Sequence, residues 1–168
     1  MNPAAGSAAR GVALLVLDVD GVLTDGRLWY GAGGEALKAF HVRDGLGIKR
    51  LRAAGVEVAV ISGRSSPAVE LRMRELGVTD VLQGVEDKGA ALAALLARRG
   101  LDGSRCACLV DDTPDLPMMR AVGLPAAVAD AEPEVLAAAR FVTRRLGGLG
   151  AVREFCDWLI AAGAGNPR

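Results

Sequence analysis

The chain has 168 residues, of which 51% are hydrophobic and 4% aromatic, and 20 basic and 20 acidic residues give a formal net charge of zero. This length predicts one domain with an aliphatic core, and the even charge balance disfavours a nucleic-acid partner or an anionic membrane surface. Three cysteines without a Cys-x-x-Cys pattern, and a single histidine, disfavour zinc and favour buried thiols in a reducing compartment. We expect a cytoplasmic protein, because no stretch has the pattern of a signal peptide or the length of a membrane span.

A flexible tail is predicted over residues 1–11, before the first element. Residues 12–17 are almost continuously apolar, as in a strand of a parallel sheet covered on both faces. A short aromatic run followed by a glycine-rich turn then predicts an inserted β-hairpin over 27–40. This hairpin is too small to close a site by itself, so the sequence predicts no large cap domain.

The rest of the chain alternates between helix and strand patterns. In chain order, the predicted elements are helix 43–54, strand 56–61, helix 67–76, strand 78–82, helix 87–99, strand 106–110, helix 114–122, strand 124–129, helix 132–139, strand 141–142 and helix 151–162. The alternation predicts a doubly wound α/β fold with a mostly parallel sheet, forming a single domain over 12–168. A glycine-rich segment and the last helix occupy 147–168.

Two aspartates, Asp18 and Asp20, follow the first predicted strand directly. Alternation along a strand sends both side chains to the same side. Like charges so close repel unless a cation lies between them. The pattern therefore predicts a divalent-metal site in which one aspartate is free to act as a nucleophile.

Further polar residues follow other predicted strands, where ligands bind in open α/β sheets. Ser62 and Arg64 follow one strand, and Asp111 with Asp112 follows another. Lys88 stands at the start of a predicted helix, where cations are electrostatically disfavoured, so its placement indicates a function. These residues predict one site at the carboxyl edge of the sheet.

The order of these residues resembles the haloacid-dehalogenase superfamily of phosphatases. Longer strings resemble its capless members that act on 3-deoxy-D-manno-octulosonate 8-phosphate (Kdo 8-phosphate). The strings that carry this resemblance are residues 18–26, 34–40, 42–45, 61–64, 128–131 and 147–154.

The resemblance implies a role for each residue at the strand ends. Asp18 would attack phosphorus to give an aspartyl-phosphate, and Asp20 would act as general acid and then as general base. Mg²⁺ would be held by Asp18, the Asp20 backbone carbonyl and Asp111. Ser62 and backbone amides beside Asp20 would hold phosphate oxygens, and Lys88 would add positive charge and orient Asp18. Asp115 is expected either to contact one of the residues that bind the metal or to begin the next helix, without binding the metal itself.

The resemblance also implies a set of substrate contacts, since a keto-sugar acid carries a carboxylate that calls for basic side chains. These positions are Asp20, His41, Val42, Arg43, Asp44, Gly45, Lys49, Arg64, Arg72 and Lys88. Three residues depart from the usual pattern: Lys49 replaces an arginine, His41 an asparagine, and Val110 a glycine. For Val110 we expect a small shift in site geometry with metal binding retained.

The resemblance finally implies a homotetramer in which the hairpins pack together through Trp29 and Tyr30. The segment 147–150 is expected to reach a neighbour's active site. Two alternatives stay open: a phosphatase for a nine-carbon, sialic-type sugar acid 9-phosphate, and a non-catalytic tetrameric assembly module. The second is disfavoured because Asp18, Asp20 and Lys88 are all present.

Overall fold

A six-stranded parallel sheet organises the computed structural model, which describes residues 3–165. Its spatial order is β5-β4-β1-β6-β7-β8. The strands are β1 (Leu14–Leu17), β4 (Glu57–Ile61), β5 (Asp80–Leu82), β6 (Cys106–Val110), β7 (Leu124–Ala127) and β8 (Phe141–Val142). The chain runs outward from β1 through β4 to β5 and then returns to β6 on the other side of β1. This reversal places the topological switch point at the carboxyl end of β1, where such sheets bind ligands.

Helices connect the strands and cover the sheet. They are α1 (Pro3–Ala9), α2 (Val42–Ala53), α3 (Pro67–Leu76), α4 (Lys88–Arg99), α5 (Leu116–Ala121), α6 (Pro133–Ala138) and α7 (Ala151–Ala161). Strands β1 and β6 are buried along their whole length. The structure thus confirms the doubly wound α/β fold, and residues 3–165 contain no cap domain.

The flexible tail expected over 1–11 includes residues 1 and 2, which lie outside the described residues, but part of the rest is helical. Residues 3–9 form helix α1, and its last residue, Ala9, is fully buried in the core together with Val12. Alanine has the highest intrinsic helix propensity, and this segment is rich in it. Burial of Ala9 supplies the tertiary contact that such a short helix needs.

The predicted hairpin over 27–40 is present as a separate two-stranded antiparallel sheet of β2 (Trp29–Gly31) and β3 (Gly34–Leu37). Its large apolar side chains face outward: Trp29 is 52% exposed and Tyr30 65%. Within residues 3–165, no helix combines the length and the apolar character that a membrane crossing requires.

Candidate active site

Three aspartates converge at the carboxyl edge of the sheet. Asp18 follows β1, Asp111 follows the neighbouring strand β6, and Asp115 ends the short 3₁₀ turn Thr113–Asp115. One carboxylate oxygen from each lies within 4.8 Å of the others. Because β1 and β6 are adjacent and parallel, their ends meet, and Asp18 and Asp111 are brought together as predicted.

Lys88 lies between two of these carboxylates. Its Nζ donates to Asp18 Oδ1 at 2.7 Å and to Asp115 Oδ1 at 2.6 Å, and its side chain is only 8% exposed. Asp87 caps the helix, since its carboxylate accepts from the Ala90 amide at 2.9 Å. The two buried carboxylates offset the cost of placing a lysine at a helix N-terminus. Asp115 is therefore linked to Asp18 through hydrogen bonds from the same Lys88 ammonium group.

Burial of the cluster, together with more negative charge than Lys88 balances, raises the pKa of its carboxyls. Burial, followed by the charge of Asp115, raises the pKa of Asp18 to about 6, against the opposing effect of Lys88. Burial and the charges of Asp18 and Asp115 raise the pKa of Asp111 to about 8. A further cation at the cluster would favour the charged forms and lower both pKa values.

These aspartates fit a hard divalent cation. Asp111 Oδ1 and Asp115 Oδ2 are buried and have no hydrogen-bond partner among the described residues. Carboxylate oxygens are the ligands that Mg²⁺ prefers, and a divalent ion would supply the missing positive charge. Asp18, Asp111 and Asp115 each offer a carboxylate oxygen to such an ion, since Asp18 and Asp115 use only Oδ1 to bind Lys88.

The loop after β1 is built for close approach to the cluster. Gly21 has φ +94°, and a Cβ placed there would lie 2.0 Å from Asp111 Oδ2. Only glycine tolerates both the left-handed backbone and this proximity. The amides of Asp20 and Gly21 donate to no acceptor within the described chain, so they are free to bind phosphate oxygens.

Asp20 contacts two cations that do not belong to the three-aspartate cluster. Lys38 Nζ contacts its Oδ1, and Arg64 Nε lies 3.9 Å from its Oδ2. Glu35 joins the same group, 3.3 Å from both Lys38 Nζ and an Arg64 guanidinium nitrogen. Tyr30 also accepts from Arg64, at 3.2 Å. The sequence interpretation missed Lys38, although it lies in the string 34–40 that carries the resemblance.

Ser62 follows β4 at the same edge of the sheet and is 2% exposed. Its amide donates to the Leu82 carbonyl, and its hydroxyl accepts from the Arg64 amide at 3.3 Å. The hydroxyl proton has no acceptor among the described residues, so Ser62 can still donate to a phosphate oxygen.

The substrate contacts expected from α2 do not join the cluster within one chain. His41 caps α2, with its Nδ1 accepting from the Arg43 amide at 3.2 Å, which is a structural role within this chain. Val42, Arg43 and Lys49 are exposed on this helix. No hydrogen bond or ion pair in residues 3–165 connects them to the acidic cluster.

Asp44 requires a correction, because it was expected to contact substrate and is only 1% exposed. Its carboxylate accepts from the Arg153 amide at 2.7 Å. Helix α7 begins after Gly150, which has no side chain to cap it, and Asp44 supplies that cap from α2. Gly45 is also buried, and a Cβ there would lie 2.3 Å from an Arg72 guanidinium nitrogen. Asp44 and Gly45 therefore serve helix packing. Arg72, which lies beside Gly45, keeps part of its side chain exposed.

The segment 147–150 packs against the loop that follows β1 in the same chain. The Gly148 amide donates to the Val22 carbonyl at 2.8 Å, and the Gly147 amide donates to Asp130 at 2.9 Å. A Cβ at Gly147 would lie 1.6 Å from the Gly21 carbonyl oxygen. The glycines permit this close contact, and the reach of the segment toward a neighbour's site stays a prediction.

Val110 causes no crowding beside the acidic pair. It is fully buried, it pairs with Ala127 in β7, and its carbonyl accepts from the Val128 amide at 3.1 Å. No non-glycine residue in the described chain has a positive φ. The valine is thus an ordinary core residue of β6, without backbone strain.

Comparison with known proteins supports this geometry. Residues 77–147 match the family model for haloacid dehalogenase-like hydrolases. The Escherichia coli K12 protein named 3-deoxy-D-manno-octulosonate 8-phosphate phosphatase KdsC is 47% identical over 92% of this chain and 82% of its own.

Two crystal structures are similar throughout. That of the Yersinia pestis 3-deoxy-D-manno-octulosonate 8-phosphate phosphatase superposes with a TM-score of 0.94 at 44% identity, covering 97% of this chain and 88% of the other. That of the Moraxella catarrhalis phosphatase, in complex with magnesium, phosphate and Kdo, gives a TM-score of 0.92 at 39% identity, with 94% and 91% coverage.

Proposed function

This chain belongs to the haloacid-dehalogenase superfamily and, within it, to the Kdo 8-phosphate phosphatases, and we propose the residue roles by which it works. It hydrolyses Kdo 8-phosphate to Kdo and phosphate in a reaction that uses Mg²⁺. The observation that carries the proposal is the buried Asp18, held by Lys88 beside the unpartnered Asp111 oxygen. The nine-carbon substrate and the non-catalytic assembly module are not favoured.

Asp18 acts as the nucleophile. Its carboxylate attacks phosphorus, forming a bond to one aspartate oxygen while the bond between phosphorus and the sugar oxygen breaks. Lys88 fixes the carboxylate at 2.7 Å and keeps a positive charge beside it. Ser62 and the amides of Asp20 and Gly21 bind the phosphate oxygens, where charge is spread in the transition state.

Asp20 moves the protons. It donates a proton to the departing sugar alkoxide, and the resulting carboxylate later accepts a proton from the water that hydrolyses the aspartyl-phosphate. Asp18 and Asp111, with the Asp20 backbone carbonyl, would hold Mg²⁺. When bound, this ion offsets the repulsion between the nucleophile and the phosphate.

Assembly as a homotetramer is part of the proposal. Trp29 and Tyr30 expose large side chains next to each other on the hairpin. Isolated exposed apolar residues are common on protein surfaces, but a cluster of them indicates an interaction surface. Packing hairpins together would bury it. The exposed basic residues of α2, Arg43 and Lys49, are then candidates to contact substrate in a neighbouring site.

We propose that the enzyme is cytoplasmic. We also propose that it acts in the pathway that makes the Kdo of lipopolysaccharide. Support for a reducing compartment comes from the three cysteines Cys106, Cys108 and Cys156, which are all buried as free thiols.

A substrate panel tests the function directly. Purified protein with Mg²⁺ is assayed for phosphate release from Kdo 8-phosphate, a nine-carbon sugar acid 9-phosphate and glucose 6-phosphate. We expect kcat/KM to be highest for Kdo 8-phosphate. A higher value for the nine-carbon compound would contradict the substrate assignment, and no release from any of them would favour the assembly module.

A further inference from the structure

Lys38 stands out because its charge is buried outside the acidic cluster. It follows β3 in the hairpin, and its side chain is only 1% exposed. Its Nζ contacts Asp20 Oδ1 and lies 3.3 Å from Glu35 Oε2. Burying an ammonium group is unfavourable unless carboxylates satisfy it, so this arrangement depends on both partners.

The two oxygens of Asp20 face cations that come from different parts of the fold. Lys38 approaches Oδ1 from the hairpin, while Arg64 Nε lies 3.9 Å from Oδ2 in the loop after β4. Arg64 is 43% exposed, so solvent screens its contact, which is also longer than that of the buried Lys38. Lys38 is therefore the main restraint on the direction in which the Asp20 carboxyl points.

We propose that Lys38 is a positioning residue that holds Asp20 in the orientation for proton transfer to the leaving alkoxide. The proposal rests on the acid and base role given to Asp20 above. Proton transfer requires the carboxyl oxygen within hydrogen-bond reach of the leaving oxygen, about 2.6–3.2 Å. Without Lys38, Asp20 would turn toward Arg64 or solvent, and the alkoxide would leave without a proton. The hairpin would thereby act on the chemistry as well as on assembly.

The leaving group distinguishes this role from a structural one. A sugar alkoxide is a poor leaving group and needs a proton, whereas p-nitrophenolate departs without one. The ratio kcat/KM reports only the steps up to leaving-group departure, so the later hydrolysis of the aspartyl-phosphate does not enter it. For Lys38→Met we expect kcat/KM to fall about 10²-fold with Kdo 8-phosphate, the lower end of what proton transfer contributes. With p-nitrophenyl phosphate it should fall by less than about threefold, because no proton is needed.

Two further variants complete this series. Lys38→Arg keeps the positive charge and should restore most of the loss with Kdo 8-phosphate. Arg74→Met is the matched control, because it removes an exposed cation whose only ion-pair partner among the described residues is Glu70. It should leave kcat/KM unchanged for both substrates. Thermal unfolding of each variant shows whether it is folded. If Lys38→Met does not fold, Glu35→Gln replaces it, since it removes one of the two carboxylates at Lys38 and should give the same selective loss in smaller degree.

Asp20→Asn, measured with both substrates, separates this proposal from the proposed function. If Asp20→Asn lowers kcat/KM equally for Kdo 8-phosphate and for p-nitrophenyl phosphate, the acid role of Asp20 itself is wrong. The other outcome is that Asp20→Asn lowers kcat/KM for Kdo 8-phosphate alone. If Lys38→Met then lowers kcat/KM equally for both substrates, or for neither, the positioning role of Lys38 is overturned. A selective loss in both variants, with rescue by Lys38→Arg, supports it.

Discussion

In the proposed mechanism the acidic cluster at the strand ends and the β-hairpin serve the same reaction, but they are held in place in different ways. Asp18 and Asp111 follow two adjacent, fully buried strands, so the sheet itself sets their positions. The hairpin makes a separate two-stranded sheet with exposed apolar side chains, and its Lys38 contacts Asp20. The proposed nucleophile is thus part of the sheet, whereas the environment of the proposed acid depends on an inserted element.

The acidic cluster and the group around Asp20 also differ in their balance of charge. The cluster brings three carboxylates around one ammonium group, which is unfavourable without a further cation. The group around Asp20 is nearly balanced, with Lys38 and Arg64 facing Asp20 and Glu35. Changes in the cluster should therefore alter the reaction and metal binding, while changes in the hairpin should alter proton transfer and assembly.

The largest effect should come from Asp18→Asn, because an amide cannot accept the phosphoryl group. We expect kcat to fall at least about 10⁴-fold, as for the loss of a covalent nucleophile in other enzymes. Phosphate release from Kdo 8-phosphate measures it, and Asp102→Asn, an exposed aspartate far along the chain, is the matched control. Turnover near the wild-type rate in a folded Asp18→Asn variant would exclude the mechanism.

Removal of Mg²⁺ should abolish activity, and it should also reveal the charge imbalance of the cluster. The pKa values of Asp18 and Asp111 are raised to about 6 and about 8 in the metal-free protein. Carboxyls with raised folded-state pKa values contribute stability at low pH that is lost as pH rises through those values. Mg²⁺ binds the deprotonated forms, so it should raise Tm more at a pH above 8 than at a pH below 6.

Thermal unfolding at the two pH values, with and without Mg²⁺, measures this difference. Asp111→Asn should remove most of it, because the amide does not titrate and binds the ion weakly. An equal Mg²⁺ effect at both pH values would contradict the assignment of Asp111 to the metal site.

Val110→Gly tests whether the sheet beneath the cluster tolerates the glycine that is usual at this position. Because Val110 is fully buried and unstrained, we expect the free energy of unfolding to fall by about 2–4 kcal/mol, as for other core truncations. The kcat value should change little. Chemical denaturation with a parallel assay decides this, and a more stable or faster variant would show that the valine does crowd the site.

The strand-end residues could be predicted from the sequence because their signal is local. Asp18 and Asp111 each follow an apolar run, and parallel strands bring such ends together. Lys38 and Asp44 could not be placed in this way. Lys38 meets Asp20 only when the hairpin folds back over 18 residues, and Asp44 caps a helix 109 residues further along. Resemblance put Asp44 in the right helix but did not show which way its side chain faces.

The smallest effect on chemistry should come from Trp29→Ser, which acts on the exposed part of the hairpin. Trp29 is 52% exposed in the single chain, so the substitution should leave its stability nearly unchanged while weakening contacts between copies. Light scattering at micromolar concentration should show smaller assemblies than for the wild-type protein. Because Lys38 stays in place, KM for Kdo 8-phosphate should rise more than kcat falls. Leu71→Ser, on the exposed face of α3, is the control for loss of an apolar side chain. If Trp29→Ser keeps the wild-type mass, or if the wild-type protein is a fully active monomer, the hairpin does not assemble the enzyme and its contribution reduces to holding Asp20.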